Sequence, residues 1–183
     1  MIYYSKSTGG FYDDTIHHQI PADAVNISAD VYTSMMSGQA AGQVIACDAK
    51  GNPMLIAPAA PTLAQVQATQ EALLQTACQE EITAGFTSAA LGAPHEYPSQ
   101  LTDQQNLMSN LAASQGAAAG WQVAMWCAAA GAWSYQPHTA AQLAALNADW
   151  VAARSALQQR YAGLVIKVQA ATTVAAVQAI TWS

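Results

Sequence analysis

The chain has 183 residues, long enough for one ample core or two small ones, and only 9% of them are charged, against about 25% in an ordinary soluble domain. The net charge of −6 rests on few charges of either sign, and the five basic residues (Lys6, Lys50, Arg154, Arg160 and Lys167) do not cluster, so no nucleic-acid partner is expected. No apolar run approaches the roughly 20 residues that span a bilayer, and the start MIYYSKSTGG lacks the basic and apolar segments of a signal peptide, so the expectation is a soluble, cytoplasmic chain without membrane insertion.

In chain order, the first 57 residues are rich in strands and turns. Ile2, Tyr3 and Tyr4 and then Phe11 and Tyr12 flank Ser7-Thr8-Gly9-Gly10, the pattern of a short hairpin. PADAVNI (21–27) reads as extended. Ser28 then offers an N-cap, with Asp30 in the first turn of a short helix carrying Val31, Tyr32, Met35 and Met36 and ending at Gly38. Residues 43–48 and 54–56, joined by Lys50-Gly51-Asn52-Pro53, predict a second hairpin.

Pro58-Ala59-Ala60-Pro61 is a short stiff linker. Beyond it, the spacing T-x-x-Q recurs at Thr62/Gln65, Thr102/Gln105 and Thr139/Gln142, each ahead of a helical pattern, and predicts three capping boxes. The first helix places Leu63, Val66, Leu73 and Ala77 on one stripe and gives way near Ala84-Gly85. A hairpin follows, with Phe86, a Leu-Gly-Ala-Pro turn, His95 and Tyr97. The second helix runs over about 103–115 with Leu107, Met108 and Leu111 inward.

Another hairpin comes next. Trp121, Val123, Met125 and Cys127 alternate on one face, Ala130-Gly131 turns, and Trp133 and Tyr135 return. In the third helix Leu143, Leu146, Trp150, Ala153, Leu157, Tyr161, Leu164 and Val168 form a sustained apolar seam. A helix of about 30 residues reaches roughly 45 Å, more than one small core needs, so part of the seam is expected to meet another copy of the chain or a different partner. A short helix from Thr173, with Val174, Val177 and Ile180, ends at Trp182. The expected fold class is α+β: a small β-rich N-terminal module (1–57), the linker (58–61), and a C-terminal module (62–183) of helices, one of them long, interleaved with two hairpins.

The motifs of common catalysis are missing: no GxSxG, GxGxxG, GxxxxGK or HExxH occurs. His17-His18 near Asp13 and Asp14 fits no established ligand spacing and reads as a polar loop. His95 and Glu96, adjacent on a strand, point to opposite faces and make no acid–base pair. His138, just before the Thr139 cap, is placed to bond loop backbone. Cys47, Cys78 and Cys127 are odd in number and far apart, and read as buried free thiols. From 104 through 148 there is no Asp, Glu, Lys or Arg at all, and the stretch holds Trp121, Trp126, Trp133 and Tyr135. Either it is a core hairpin between Ala-rich helices or it is covered by a partner.

The N-terminal residues carry a resemblance. YYS with GFYD, IPADAV, the GQ after the short helix and the D-x-x-G-x-P hairpin occur in this order at this spacing, and so resemble the N-terminal region of phage tail fibre assembly proteins. The remainder, with ITAGFTSAALGAPHEYPS, DQQNLM, the W-C…G-A-W hairpin, PHTAAQ and AATTVAAVQAITW, resembles a second module found in phage tail proteins and without an assigned activity; it departs from the usual pattern in having Ala-Ala-Ala at 128–130. The resemblance implies a non-enzymatic factor that engages the distal C-terminal part of a trimeric tail fibre and aids its folding or trimerisation, in the host cytoplasm during assembly or at the fibre tip of the virion. It implies no catalytic residue, no cofactor and no metal. The partner-binding candidates are Trp121, Trp126, Trp133, Tyr135, Phe86, His95 and Tyr97, and the seam adds the expectation of a homo-oligomer. The alternative is a structural or adhesive tail-tip protein that touches the host surface itself. A glycosidase would need two carboxylates about 5 to 9.5 Å apart, and after Gly85 only Glu96, Asp103 and Asp149 are available.

Overall fold

Short polar turns set the N-terminal architecture. The computed structural model describes residues 1–182 and falls into two compact units, Met1–Ala60 and Pro61 onward. In the first, β1 (Ile2–Ser5) pairs antiparallel with both β2 (Gly10–Asp13) and β3 (Val25–Ile27), giving the order β2-β1-β3. Asp23 holds the β1–β2 turn by accepting from Ser5 Oγ at 2.9 Å and from Ser7 N at 2.8 Å. A chain of rings, Tyr4–Phe11–Tyr32 with successive centroids 5.1 Å apart, leads from this sheet to α1 (Ala29–Ala40), which starts on the Ser28 cap.

This helix does not stop at Gly38. It runs two residues further, and Gly42, at φ 87°, takes the left-handed position after its end. Gly38 is buried because β5 (Pro53–Ile56), paired with β4 (Val44–Cys47), lays Leu55 across it. A Cβ at Gly38 would overlap the Leu55 methyls, so this glycine answers a packing need and not a helix end.

The second unit begins on the Thr62/Gln65 capping box, where Thr62 N donates to Gln65 Oε1 at 2.8 Å and Gln65 N to Thr62 Oγ1 at 3.3 Å. The helix it starts, α2 (Leu63–Ala84), buries Val66, Leu74 and Cys78. Leu73, expected inward, is exposed; its neighbour Leu74 takes the buried place. Two short strands follow, β6 (Phe86–Ser88) and β7 (His95–Tyr97).

The cap of the next helix differs from expectation. Gln100 is the N-cap of α3 (Leu101–Ser114), and its backbone N–H donates to Asp103 Oδ2 at 3.0 Å, so Thr102 lies inside the helix. A carboxylate three residues after the cap favours this start electrostatically over the neutral glutamine at 105. Leu107 is buried and Leu111 packs against the core, whereas Met108 is exposed.

The second hairpin is β8 (Gln122–Ala129) with β9 (Ala132–Thr139). The two predicted hairpins prove to be one sheet, of order β6-β7-β8-β9, because Glu96 on β7 pairs with Ala128 on β8. The long helix is α4 (Ala140–Ala170), opened by the Thr139/Gln142 box, and α5 (Val174–Gln178) follows it.

The length of α4 has an internal explanation. Its first turns insert Leu143, Leu146 and Trp150 beneath the four-stranded sheet, in a core with Tyr97, Leu107 and Cys127. Its far end packs Tyr161, Leu164 and Val168 against Val66 and Leu74 of α2 and Val177 of α5, in a second core. One helix therefore serves two cores in succession, and the chain's own elements occupy both ends of the seam, while Ala153 and Leu157 in its middle are half-buried and belong to neither core. Gln67 of α2 completes this end by donating to the carbonyls of Val168 (3.0 Å) and Ala171 (3.2 Å), at the C-terminal end of α4.

Candidate functional site

Strand alternation sorts the aromatic residues of the β8–β9 hairpin. Val123, Met125 and Cys127 face the core, so Trp126 faces the other way. Opposite residues in an antiparallel pair share a face, and the register sets Trp126 against Tyr135 and Ala128 against Trp133. The three rings accordingly form one outer cluster. Trp126 and Trp133 stack with centroids 6.1 Å apart, and Trp126 meets Tyr135 at 4.9 Å. Their exposures of 41%, 44% and 67% are large for such side chains, and the register places one carboxylate, Glu96, on the same face beside Trp133. The register is fixed by a two-residue turn, Ala130-Gly131, with both φ values positive (50° and 81°), a conformation that an alanine adopts only under strain.

The structure separates the seven sequence-derived candidates. Trp126, Trp133 and Tyr135 are brought together on the outside. Trp121 is half-buried against the core. Tyr97 is buried outright at 2% exposure and Phe86 stacks on it (5.6 Å) and meets Trp150 (5.2 Å), so these two are core rings and not surface anchors. His95 stands apart at the start of β7, with Nδ1 2.8 Å from the carbonyl of Ala93. Among the cysteines, Cys78 and Cys127 are buried free thiols, as expected, but Cys47 is exposed at the end of β4.

A cleft of about 140 Å³ opens beside the outer cluster, between α3 and β8. Its floor is Phe86, Tyr97, Leu107, Leu146 and Trp150. One wall is the α3 face with Asp103, Asn106 and Asn110, joined by Gln104; the other is Ala124, Met125 and Trp126, with Tyr135 at the rim. The sequence reading missed the α3 residues. Their spacing, i, i+3 and i+7, lays three polar side chains along one helix face beside inward Leu107, and that pattern was the available signal.

Under the floor lies a buried polar pair. The Tyr97 hydroxyl is 2.8 Å from His138 Nε2, and His138 Nδ1 is 2.9 Å from the carbonyl of Gln136. A carbonyl only accepts, so Nδ1 carries the proton and Nε2 accepts from the tyrosine. Burial pushes the His138 pKa below its ordinary value, outweighing the bond to the Gln136 carbonyl, which raises it, and His95 adds a smaller lowering, while burial raises those of Tyr97 and Cys127. The imidazole is thus folded neutral. The unfolded chain takes up a proton below about pH 6.5 that the folded chain declines, so stability is lost as pH falls from there, by at most about 1.4 kcal/mol per pH unit. Urea midpoints at pH 7.5, 6.0 and 5.0 check this: wild type falls across the series, and His138→Gln, which cannot charge, falls less.

Other polar groups are engaged in turns. Asp48 accepts from Asn52 N (2.8 Å), Lys50 N (2.9 Å) and Asn52 Nδ2 (3.1 Å), and these bonds, led by those of Asn52, hold its carboxyl below the usual range. His17 Nδ1 accepts the backbone N–H of Asp13 at 3.0 Å and its ring meets Tyr12 at 5.3 Å. Among the described residues no three His, Cys, Asp or Glu gather in a way that could hold a metal ion, and no helix is long and apolar enough to cross a membrane.

Comparison with known proteins gives two matches. Residues 65–181 match a family described as a domain of unknown function, DUF4376. Over 61 residues the chain is 36% identical to the "Probable tail fiber assembly protein" of Shigella phage SfV, a stretch that covers 33% of this chain and 36% of that protein. The similarity therefore spans about a third of the relative's length. No solved structure matches the chain.

Proposed function

This chain belongs to the DUF4376 family, and from that premise, joined to its partial similarity to a probable phage tail fiber assembly protein, we propose that it is a tail fibre assembly factor. It acts without catalysis, as a chaperone that binds the distal part of a trimeric fibre and aids its folding or trimerisation. The observation that carries this reading is the outer cluster of Trp126, Trp133 and Tyr135. Tyrosine and tryptophan are enriched among the residues that dominate protein contacts, and three such rings sit together on a hairpin that itself carries no formal charge. Fibre chains that must find one another through long-range pairing expose apolar surface for as long as that search lasts. An aromatic face with few charges covers such surface without chemistry. The carboxylates give this reading further support: Asp23 and Asp48 are committed to turns, and Asp149 accepts from Ser88 Oγ at 2.5 Å.

The test is co-expression of the cognate fibre's C-terminal region with and without this chain. Soluble trimer is expected only with it. Equal yields of trimeric fibre in both cultures would overturn the chaperone reading and favour a tail-tip adhesin.

A further inference from the structure

The cleft between α3 and β8 has a polar wall on α3 that neither fibre contact nor core packing uses. Asn106 is exposed on α3, and neither its carboxamide nor Trp126 Nε1 nor the Tyr135 hydroxyl bonds to any described residue. Asn110 spends only its N–H, on Met125 Sδ at 3.2 Å, and leaves its carbonyl oxygen open. Asp103 engages one oxygen with Gln100 N and leaves the other open. The site thus presents donors and acceptors together, beside the exposed rings of Trp126 and Tyr135.

Three features restrict the ligand. No Lys or Arg lines the cleft and Asp103 does, so phosphate and carboxylate groups find no partner there and meet a like charge. Mixed donors and acceptors suit hydroxyl groups, each of which both donates and accepts. The volume, about 140 Å³, lies well below the roughly 300–1,000 Å³ of sites for drug-sized molecules, which limits the occupant to about one ring. A pyranose combines these properties. Its equatorial hydroxyls reach carboxamides, and its axial C–H groups rest on the negative face of an aromatic ring.

We infer that this cleft is a binding site for one uncharged sugar residue, held by the Asn106 and Asn110 carboxamides and the Asp103 carboxylate on α3, with Trp126 and Tyr135 closing the rim. This site goes beyond fibre assembly and is tested without the fibre, so failure of either idea leaves the other standing. Trp133 belongs to the outer cluster but does not line the cleft, and it separates the two surfaces.

The experiment is saturation-transfer NMR and tryptophan fluorescence on the full chain, titrated with glucose, galactose, mannose and N-acetylglucosamine. Glycerol and inorganic phosphate serve as controls. At least one sugar is expected to saturate with a dissociation constant on the order of 1 mM, the range for a few uncharged contacts. Asn106→Ala, on an exposed position that does not endanger folding, weakens it tenfold or more, as does Trp126→Ala, and Trp133→Ala leaves it unchanged. The inference is overturned if none of the four sugars saturates, if glycerol or phosphate gives the same response, or if Asn106→Ala binds as wild type does.

Discussion

Trp150→Asp is expected to unfold the C-terminal unit. Trp150 is 5% exposed and lies in the core under the sheet, against Phe86 at 5.2 Å and in one cluster with Leu146 and Tyr97. Removing a buried tryptophan costs about 3–5 kcal/mol on its own. The new carboxylate adds a desolvation cost, which Arg154 offsets only in part: its guanidinium lies 5.8 Å from the indole centroid, one turn along α4, and its buried Nε has no hydrogen-bond partner. Together these approach the whole stability of a domain, about 5–15 kcal/mol. The same change at Trp133, on the outer face, is expected to cost about 1 kcal/mol or less. Circular dichroism melts of the two variants check the contrast. A Trp150→Asp chain that melts like wild type would show the α4 stripe open to water.

That contrast also marks what could be read from sequence. Local chemistry was legible wherever it depends on residues within one turn. The Thr62 and Thr139 boxes, the Ser28 cap and the Ala130-Gly131 turn stand where the spacing puts them. The α4 seam was legible too, since eight positions hold one stripe over many turns. Short-range ambiguity hid other details. Leu73 and Leu74 are adjacent in an Ala-rich helix, and either can continue a stripe from Leu63 and Val66; only the packing of α4 and α5 selects Leu74. Leu107 and Met108 pose the same choice.

Long-range relations were hidden for a different reason. The two hairpins become one sheet through a single pairing, Glu96 with Ala128, which no local pattern announces. The cleft joins α3 to β8 and rests on Trp150 from a third element, so its members share no spacing. Candidate aromatic residues were named as a group because composition cannot tell a core ring from an exposed one. The strand register can: it sends Trp126, Trp133 and Tyr135 outward and leaves Phe86 and Tyr97 to the core. The α4 seam, which suggested a second copy, meets the chain's own elements at both ends, and the outer cluster is the exposed aromatic surface on which the proposed fibre contact rests.

The largest functional effect is therefore expected from that cluster. Trp126→Ser, Trp133→Ser and Tyr135→Ser combined remove three rings without touching Val123, Met125 or Cys127 on the inner face, so the hairpin keeps its core contacts. The rings do stabilise one another, and their loss costs about 0.5–1 kcal/mol per cross-strand pair, which a domain of ordinary stability tolerates. At a protein contact, by comparison, each buried tryptophan or tyrosine anchor is worth about 2 kcal/mol or more. Losing three lowers affinity by about 6 kcal/mol before non-additivity, a factor of more than about ten thousand. Co-expression of the triple variant with the fibre's C-terminal region is then expected to yield no more soluble trimer than the fibre alone, while the variant itself stays folded and soluble. Tyr161→Ser, a half-buried ring change in the far core, serves as the control that should retain rescue if it folds. Undiminished trimer from the triple variant would show that the fibre is held by some other surface.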